Sequence, residues 1–511
     1  MGSHWGEGSG AIDVWGWNGT EARLSEVRRD AQGYYFIHSL LTAGHSRWVG
    51  SLFRFTRKDG RSGVAQALYS YSGALTPPKP IGQPTSYPVA ATFTANKRAR
   101  PTPRILAAAR PTKADLTYLQ SISDEFQEME VEDLATLTDL DLRAKAIDDD
   151  GMVHLRGLKQ LRTLSLRETR VGDAGLENLA ALTSLRNLDL IRTPLTDAGL
   201  ETVSRLTGLN QLNIDTTLVT VSGLRALRKL RWLNMLTLHT TDVGDAGLAV
   251  LKDLPELSYL DIGKDPAFES ERITEAGLKL LKTFPSLDKL MLGWLKIGDN
   301  GLAQLRGMSK LYWLELTSTD ISDAGLVHLQ TLPELRQLEL EQTRITDAGL
   351  VHLKSIPKLK YLFLGHSDIG DAAMAQLAPL KNLEVLAVTK GNVTDAGLAH
   401  LRGLTQLDRL FLPDNKITGA GVANLQRMTR LNQLNLYYNK LDNASLDVLK
   451  ALPELGQLYI SGDQITDAGL VHLKALKNLR YLHISWTKAT QAGIDNLKKS
   501  LPNLQVHFGD H

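Results

Sequence analysis

The chain has 511 residues, a formal net charge of +2, 43% hydrophobic residues and no cysteine. Without cysteine there are no disulfide caps, no zinc–thiolate sites and no cysteine nucleophile, which fits a reducing compartment. No run approaches the roughly 18 apolar residues of a membrane span, and Met1-Gly2-Ser3-His4-Trp5-Gly6 shows neither the basic nor the apolar region of a secretory signal, so a cytoplasmic location is the expectation.

The charge is unevenly placed. Residues 1–113 hold 15 Lys/Arg against 6 Asp/Glu, which leaves 43 against 50 for the remainder. Residues 1–60 carry Trp5, Trp15, Trp17 and Trp48 with little periodicity, and Tyr34–Leu41 is an apolar run with nothing around it to build a core. Eight of the 18 prolines fall in residues 74–111, a composition that favours extended, solvated chain. The basic cluster Lys97–Arg104 suits nucleic-acid contact or nuclear import in principle, but beside an acidic partner region a solvated linker is the simpler expectation. Residues 1–112 are therefore expected to be a mostly disordered extension. Residues 113–136 imitate a helix at Ala114–Leu119 and continue into an acidic stretch with Phe126, Met129 and Val131. They are expected to cap the first hydrophobic face of the region beyond residue 136.

From about residue 137 one unit recurs, best seen in Arg344-Ile345-Thr346-Asp347-Ala348-Gly349-Leu350-Val351-His352-Leu353. Its Gly falls at 151, 175, 199, 223, 247, 277, 301, 325, 349, 397, 421, 469 and 493, with Ala373 and Ser445 substituting; the spacing is 24 except for 30 between Gly247 and Gly277. A fixed period of this size is the mark of a stacked-repeat solenoid. Each unit holds Leu-x-x-Leu-x-Leu, as in Leu335, Leu338 and Leu340, whose alternation predicts a short strand with one buried face. It also holds Thr-Asp-Ala-Gly-Leu-x-x-Leu, where Thr or Asp before an apolar i, i+3 pair predicts a helix start. The Gly is read as a packing residue rather than a phosphate loop, because Ala373 and Ser445 replace it without disturbing the period.

These motifs resemble the leucine-rich repeat family in its 24-residue, ribonuclease-inhibitor-like and bacterial form. The resemblance implies an α/β horseshoe solenoid, with a parallel concave sheet and short convex helices, over fifteen repeats at 137–500, closed by an edge strand and polar cap at 501–511. The family's Asn/Cys position after the strand is held by Thr169, Thr193, Thr217, Thr241, Thr319, Thr343, Ser367, Asn415, Asn439, Asp463 and Thr487. Lys145, Leu295 and Gly391 interrupt it, which predicts local irregularity there.

The positions flanking the second strand Leu face outward and are free of the framework. They are polar in the first five repeats (Asp139, Asp141, Thr163, Ser165, Asn187, Asp189, Gln211, Asn213, Asp215). Later they turn aromatic at Tyr259, Trp313, Tyr361, Phe363, Phe411, Tyr459 and Tyr481, with Trp294, Tyr437, Tyr438 and Trp486 just beyond the strands. Exposed Trp and Tyr are common interface anchors. Phe268 sits in a six-residue insertion expected to project from the rim of this face. Glu315 and Glu339, extended by Glu341, form an acidic patch on a sheet expected to be open, with nothing to raise a pKa, so a glycosidase-like carboxylate pair is disfavoured. The recurrent His154, His328, His352, His400 and His472 are expected to be solvated. The function expected is a non-enzymatic, monomeric scaffold that binds a protein or peptide on its concave face, without cofactor, metal, nucleic acid or membrane. Carbohydrate recognition by the aromatic strip, or a substrate-receptor role in a ubiquitin-ligase-like assembly, are the alternatives.

Overall fold

The computed structural model describes residues 110–511, apart from 240, 242, 265–272, 367, 463 and 510–511, together with the backbone of strands between residues 12 and 93. The chain divides into two compact units, Met1–Ala107 and Ala108–His511. In the first unit the strands Gly63–Ser72, Val49–Arg57, Leu40–Thr42, Thr20–Leu24, Ile12–Trp17 and Ala91–Phe93 lie side by side in that order, paired antiparallel. The expectation of a mostly disordered 1–112 otherwise falls largely on residues outside those described, and so does the basic cluster at 97–104.

The second unit is a solenoid whose 16 strands stand in chain order from Asp139–Asp141 to Gln505–Phe508. All pair in parallel through equivalent residues, as Leu164 opposite Leu188 and Leu338 opposite Leu362. A 24-residue shift therefore returns every side chain to the same face. In the strands from Asp139–Asp141 to Tyr481–Ser485 the central Leu is buried, and in most of them its neighbours stay partly open, as at Trp313–Glu315 and Gln337–Glu339. Leu164, Leu166, Leu338 and Leu340 are fully excluded from solvent; a buried Leu of this kind contributes about 1.5–3 kcal/mol.

The opposite side is made of short helices such as Asp197–Val203 and Asp395–Leu401 or 3₁₀ turns such as Gly349–Ser355. At these lengths a helix is not stable alone, so stacking holds it. Thr196, Thr220, Thr274, Thr394 and Thr418 cap the first turn by accepting an N–H two residues on.

The Asp of the motif works between repeats. Asp173 accepts the backbone N–H of Thr196 at 2.9 Å and its hydroxyl at 2.5 Å. The same pair recurs from Asp197 to Thr220, Asp323 to Thr346, Asp395 to Thr418 and Asp467 to Thr490. This explains the Gly in most repeats; at Gly151, Gly247 and Gly301 the nearest atoms belong instead to Tyr118, Val243 and Ile297. A Cβ on Gly199 would stand 2.3 Å from Asp173 Oδ1, on Gly349 2.3 Å from Asp323 Oδ1, and on Gly421 2.2 Å from Asp395 Oδ1. Where the Asp is itself a glycine, at Gly419, the following repeat carries Ser445 instead of Gly, and a Cβ on Gly419 would meet Ser445 Oγ at 2.8 Å. The volume has moved from one repeat to its neighbour.

The expected irregularities do not arise. Most strands turn their corner through a left-handed residue, including Ala144 and Trp294 beside the interruptions at Lys145 and Leu295. The Asn residues of this ladder bond to the preceding repeat: Asn415 donates to Val388 O at 2.8 Å and accepts from Val393 N–H at 3.0 Å, and Asn439 does the same with Leu412 O at 2.7 Å and Ile417 N–H at 3.0 Å, so the repeat holding Gly391 is bridged like its neighbour. The Thr residues of this ladder instead donate within their own repeat, as Thr169 to Leu166 O at 2.6 Å.

The first repeat is covered by Lys113–Ile122 and Val131–Thr136, which bury Leu116, Leu119, Phe126 and Leu134 in the common core. Thr112 and Asp115 close a reciprocal cap on the first of these helices. His154 is not simply solvated: it stacks on Tyr118 with ring centroids 4.4 Å apart and meets Asp115 at 2.9 Å. His472 likewise meets Asp447 at 2.9 Å. The Nδ1 of His328 is buried without a hydrogen-bond partner, and burial lowers the pKa of that ring.

Candidate concave binding face

The aromatic positions do not form one strip. They fall into two groups separated by the strand Val385–Thr389, where Val385 and Ala387 are small and buried. The central group lies on the strands Tyr259–Asp261, Lys289–Met291, Trp313–Glu315, Gln337–Glu339 and Tyr361–Gly365. Tyr259 and Trp313 meet edge to face with centroids 6.1 Å apart. Trp313 Nε1 donates to Glu339 Oε1 at 2.9 Å, and Gln337 Nε2 donates to the same oxygen at 2.8 Å. Phe363 stands opposite Glu339 on the next strand. Tyr361 donates its hydroxyl to Glu384 at 3.0 Å, a carboxylate that Lys360 also holds at 2.6 Å.

The second group contains Tyr437, Tyr459 and Tyr481, joined through His483: Tyr437 lies 5.0 Å and Tyr459 5.9 Å from that ring, and Tyr459 lies 5.4 Å from Tyr481. Phe411 sits between Ala387 and Asn435 at the border of the two groups. Trp294 and Trp486, 41% and 49% exposed, occupy left-handed corners at φ 63° and 53°, beside the sheet rather than on it. Phe268 and the insertion around it lie outside the described residues. Trp232, 64% exposed and shortly before the strand Met235–Thr237, escaped the sequence argument because it follows a helix rather than a strand.

The expectation that nothing on this sheet raises a carboxyl pKa is overturned. Burial pushes Asp261 up to about 7, with further repulsion from Asp215 and Glu315. Burial likewise raises Asp215, Glu315 and Glu341 above the usual carboxylate range. The cause lies in the neighbouring positions. Two glycines, Gly263 and Gly293, follow adjacent strands; a Cβ on Gly293 would stand 2.6 Å from Glu315 Oε2, and one on Gly263 would stand 2.9 Å from His239 Cδ2. The sheet is notched there, and side chains from flanking strands lie down into the notch. Backbone N–H groups receive them: Gly263 donates to Asp261 at 3.0 Å, Thr317 to Glu315 at 2.8 Å, and His239 to Asp215 at 2.8 Å. Asp261 and Asp215 thus join Glu315, Glu339 and Glu341. The sequence signal available was the pair of glycines at one repeat position.

Glu315 and Glu339 are direct neighbours across adjacent strands, as their repeat positions require. Glu339 is committed to Trp313 and Gln337, and no group of three or more His, Asp or Glu among the described residues is arranged to hold a metal ion. No helix among the described residues is long and apolar enough to cross a membrane.

A parallel-sheet solenoid of this period defines a class of repeat protein. Leucine-rich repeat family patterns match residues 405–465 and 159–180. With the repeat and its stacking in place from Asp139 to Phe508, the described chain has the architecture of a leucine-rich repeat solenoid. Among solved structures it is similar to an internalin from Listeria monocytogenes, at 22% identity over 78% of this chain and 96% of that one, with a TM-score of 0.40. It is also similar to a leucine-rich repeat protein of Leptospira interrogans, at 20% identity over 74% and 97%, with a TM-score of 0.43. A second Listeria internalin, of the C2 type, matches at 24% identity over 43% and 87%, with a TM-score of 0.33. At these levels the likeness concerns the repeat architecture alone. No curated protein matches the chain.

Proposed function

We propose that the chain is a non-enzymatic interaction scaffold whose concave sheet binds a protein or peptide through the central aromatic group. The observation that carries this is the change at positions the framework leaves free. The strands from Asp139 to Asn213 present short polar side chains, whereas Tyr259, Trp313, Tyr361 and Phe363 present large rings on the same face of the same sheet. These rings are partly buried against one another and their neighbours and keep part of their apolar surface open, which is withdrawn from water only when something covers them. Anchors of this kind typically cost about 2 kcal/mol or more when truncated, roughly a thirtyfold loss of affinity.

The test uses peptides selected from a random display library on the full chain, with binding then measured on variants. Trp313→Ala with Phe363→Ala should weaken the selected peptides at least tenfold while circular dichroism stays unchanged. Thr163→Ala with Ser165→Ala should leave them unaffected. Equal losses from the two pairs would overturn the assignment to the central group. Soluble oligosaccharides that bind with the same dependence on Trp313, where peptides do not, would replace peptide recognition by carbohydrate recognition.

A further inference from the structure

The central concave face carries a charge pattern that selects its occupant. On the five strands from Tyr259 to Gly365 the outward positions hold Asp261, Glu315 and Glu339, with Glu341 one step beyond the strand end and Asp215 on a preceding repeat. The one ammonium among these outward strand positions is Lys289, and its Nζ lies 5.4 Å from the centre of the Tyr312 ring, at the start of the neighbouring strand. Opposite charge is thus drawn off the middle of the face. The carboxyls alternate with rings: Tyr259 beside Asp261, Trp313 beside Glu315, and Phe363 opposite Glu339. Aromatic faces interleaved with carboxylates attract ammonium and guanidinium groups twice over, by charge and by the ring quadrupole.

We propose, resting on the concave-face function above, that the central group takes an extended segment of a protein partner bearing lysine or arginine, and seats a cationic side chain between Trp313, Tyr259 and the carboxylates of Asp261 and Glu315. Strand spacing gives the five strands a span of about 19 Å, which an extended segment of about six residues crosses. A cation seated there offsets the cost of holding several carboxyls partly out of water, a cost otherwise relieved by protonation. Polar groups facing Asp261 include the Gly263 N–H, Thr237 on one flanking strand, His239, Tyr259, Asp215 and Glu315; Met291 lies on the other flank, and Lys289 one position away.

The probes are end-capped octapeptides alternating glycine with lysine or with glutamate, titrated calorimetrically into the full chain. The lysine peptide should bind and the glutamate peptide should not. Asp261→Asn with Glu315→Gln, which keep the acceptor geometry, should weaken the lysine peptide at least tenfold. Asp139→Asn with Asp141→Asn, the same charge change on the polar end of the sheet, should change it less than twofold. The unaltered protein supplies a check that needs no variant. Its affinity for the lysine peptide should rise as pH goes from 5.5 to 8, because Asp261 ionises with a pKa of about 7. No binding of the lysine peptide, equal losses from the two charge pairs, or an affinity that falls with pH would each overturn the proposal. Library-selected peptides that need Trp313 and Phe363, lack Lys and Arg, and bind the Asp261/Glu315 variant undiminished would overturn the cationic occupant and leave the concave-face function standing. Failure of the aromatic pair to matter as well would remove both.

Discussion

The first five strands of the solenoid and the five from Tyr259 to Gly365 are built alike and present opposite surfaces. Both bury one Leu per strand at the same register, Leu188 in one and Leu338 in the other, with 2% and 0% exposure. Both turn the corner through a left-handed residue, at Glu168 and Arg192 in one and at Trp294 and Ser318 in the other. They differ at positions the stacking leaves free. In the first, Asp141 lies in the open and pairs with Arg143 at 2.5 Å. In the second, Asp261 accepts the same kind of backbone N–H two residues on, but lies buried beside Gly263 with no cationic side chain among the described residues paired to it. A repeat framework therefore separates stability from recognition. The buried columns repeat, and the outward columns vary without altering the register.

The largest expected effect tests the shared half of that comparison. Leu188→Ala and Leu338→Ala should each destabilise by about 2–5 kcal/mol, with similar shifts of the urea midpoint, since both remove a fully packed side chain. A cost confined to one region would show that the two cores are not equivalent.

The next concerns charge, where the regions should part in sign. The folded pKa of Asp261 is raised to about 7, so the folded state binds the proton more tightly and stability falls as pH rises from the unfolded value towards 7. Asp261→Asn should therefore stabilise at pH 8, by on the order of 2–4 kcal/mol, and change little at pH 4. Asp141 has its pKa lowered, chiefly by the hydrogen bond from Arg143. Its contribution is present above the unfolded pKa and lost as pH falls through the folded one, so Asp141→Asn should weaken the protein slightly at neutral pH. Urea melts at the two pH values decide both signs; a loss of stability in the Asp261 variant at pH 8 would contradict the burial argument.

A smaller effect probes the link between repeats. Asp323→Ala leaves the N–H and hydroxyl of Thr346 without their acceptor and should cost about 1–3 kcal/mol. Gly419→Asp alone should destabilise by crowding Ser445. Adding Ser445→Gly should restore stability, with a coupling of about 0.5–3 kcal/mol. Additive behaviour in that cycle would refute the exchange of volume between repeats.

The smallest effect again treats the regions as equals. Glu168→Gly and Trp294→Gly both relieve a left-handed residue, at φ 59° and 63°. Each should change stability by no more than about 1 kcal/mol, because the strain released is nearly matched by the extra freedom of glycine in the unfolded chain. A large change at Trp294 alone would mean that its ring packs where its 41% exposure says it does not.

The sequence by itself determined the period, the strand at each Leu-x-Leu, the buried column through Leu164, Leu188 and Leu338, and the packing role of the marker Gly. Those features repeat within one unit, and local alternation writes them out every 24 residues. Tertiary structure decided what one repeat does to the next. It set Asp173 against Thr196 rather than against its own helix, and it turned Asn415 and Asn439 towards the backbone of the preceding repeat. It broke the aromatic strip at Val385 and Ala387, and it sank Asp261 and Glu315 into the space beside Gly263 and Gly293. Each of these depends on side chains that are distant in sequence and meet only when strands stack about 4.8 Å apart, a distance at which the neighbouring repeat, rather than the local motif, fixes whether a carboxyl faces water.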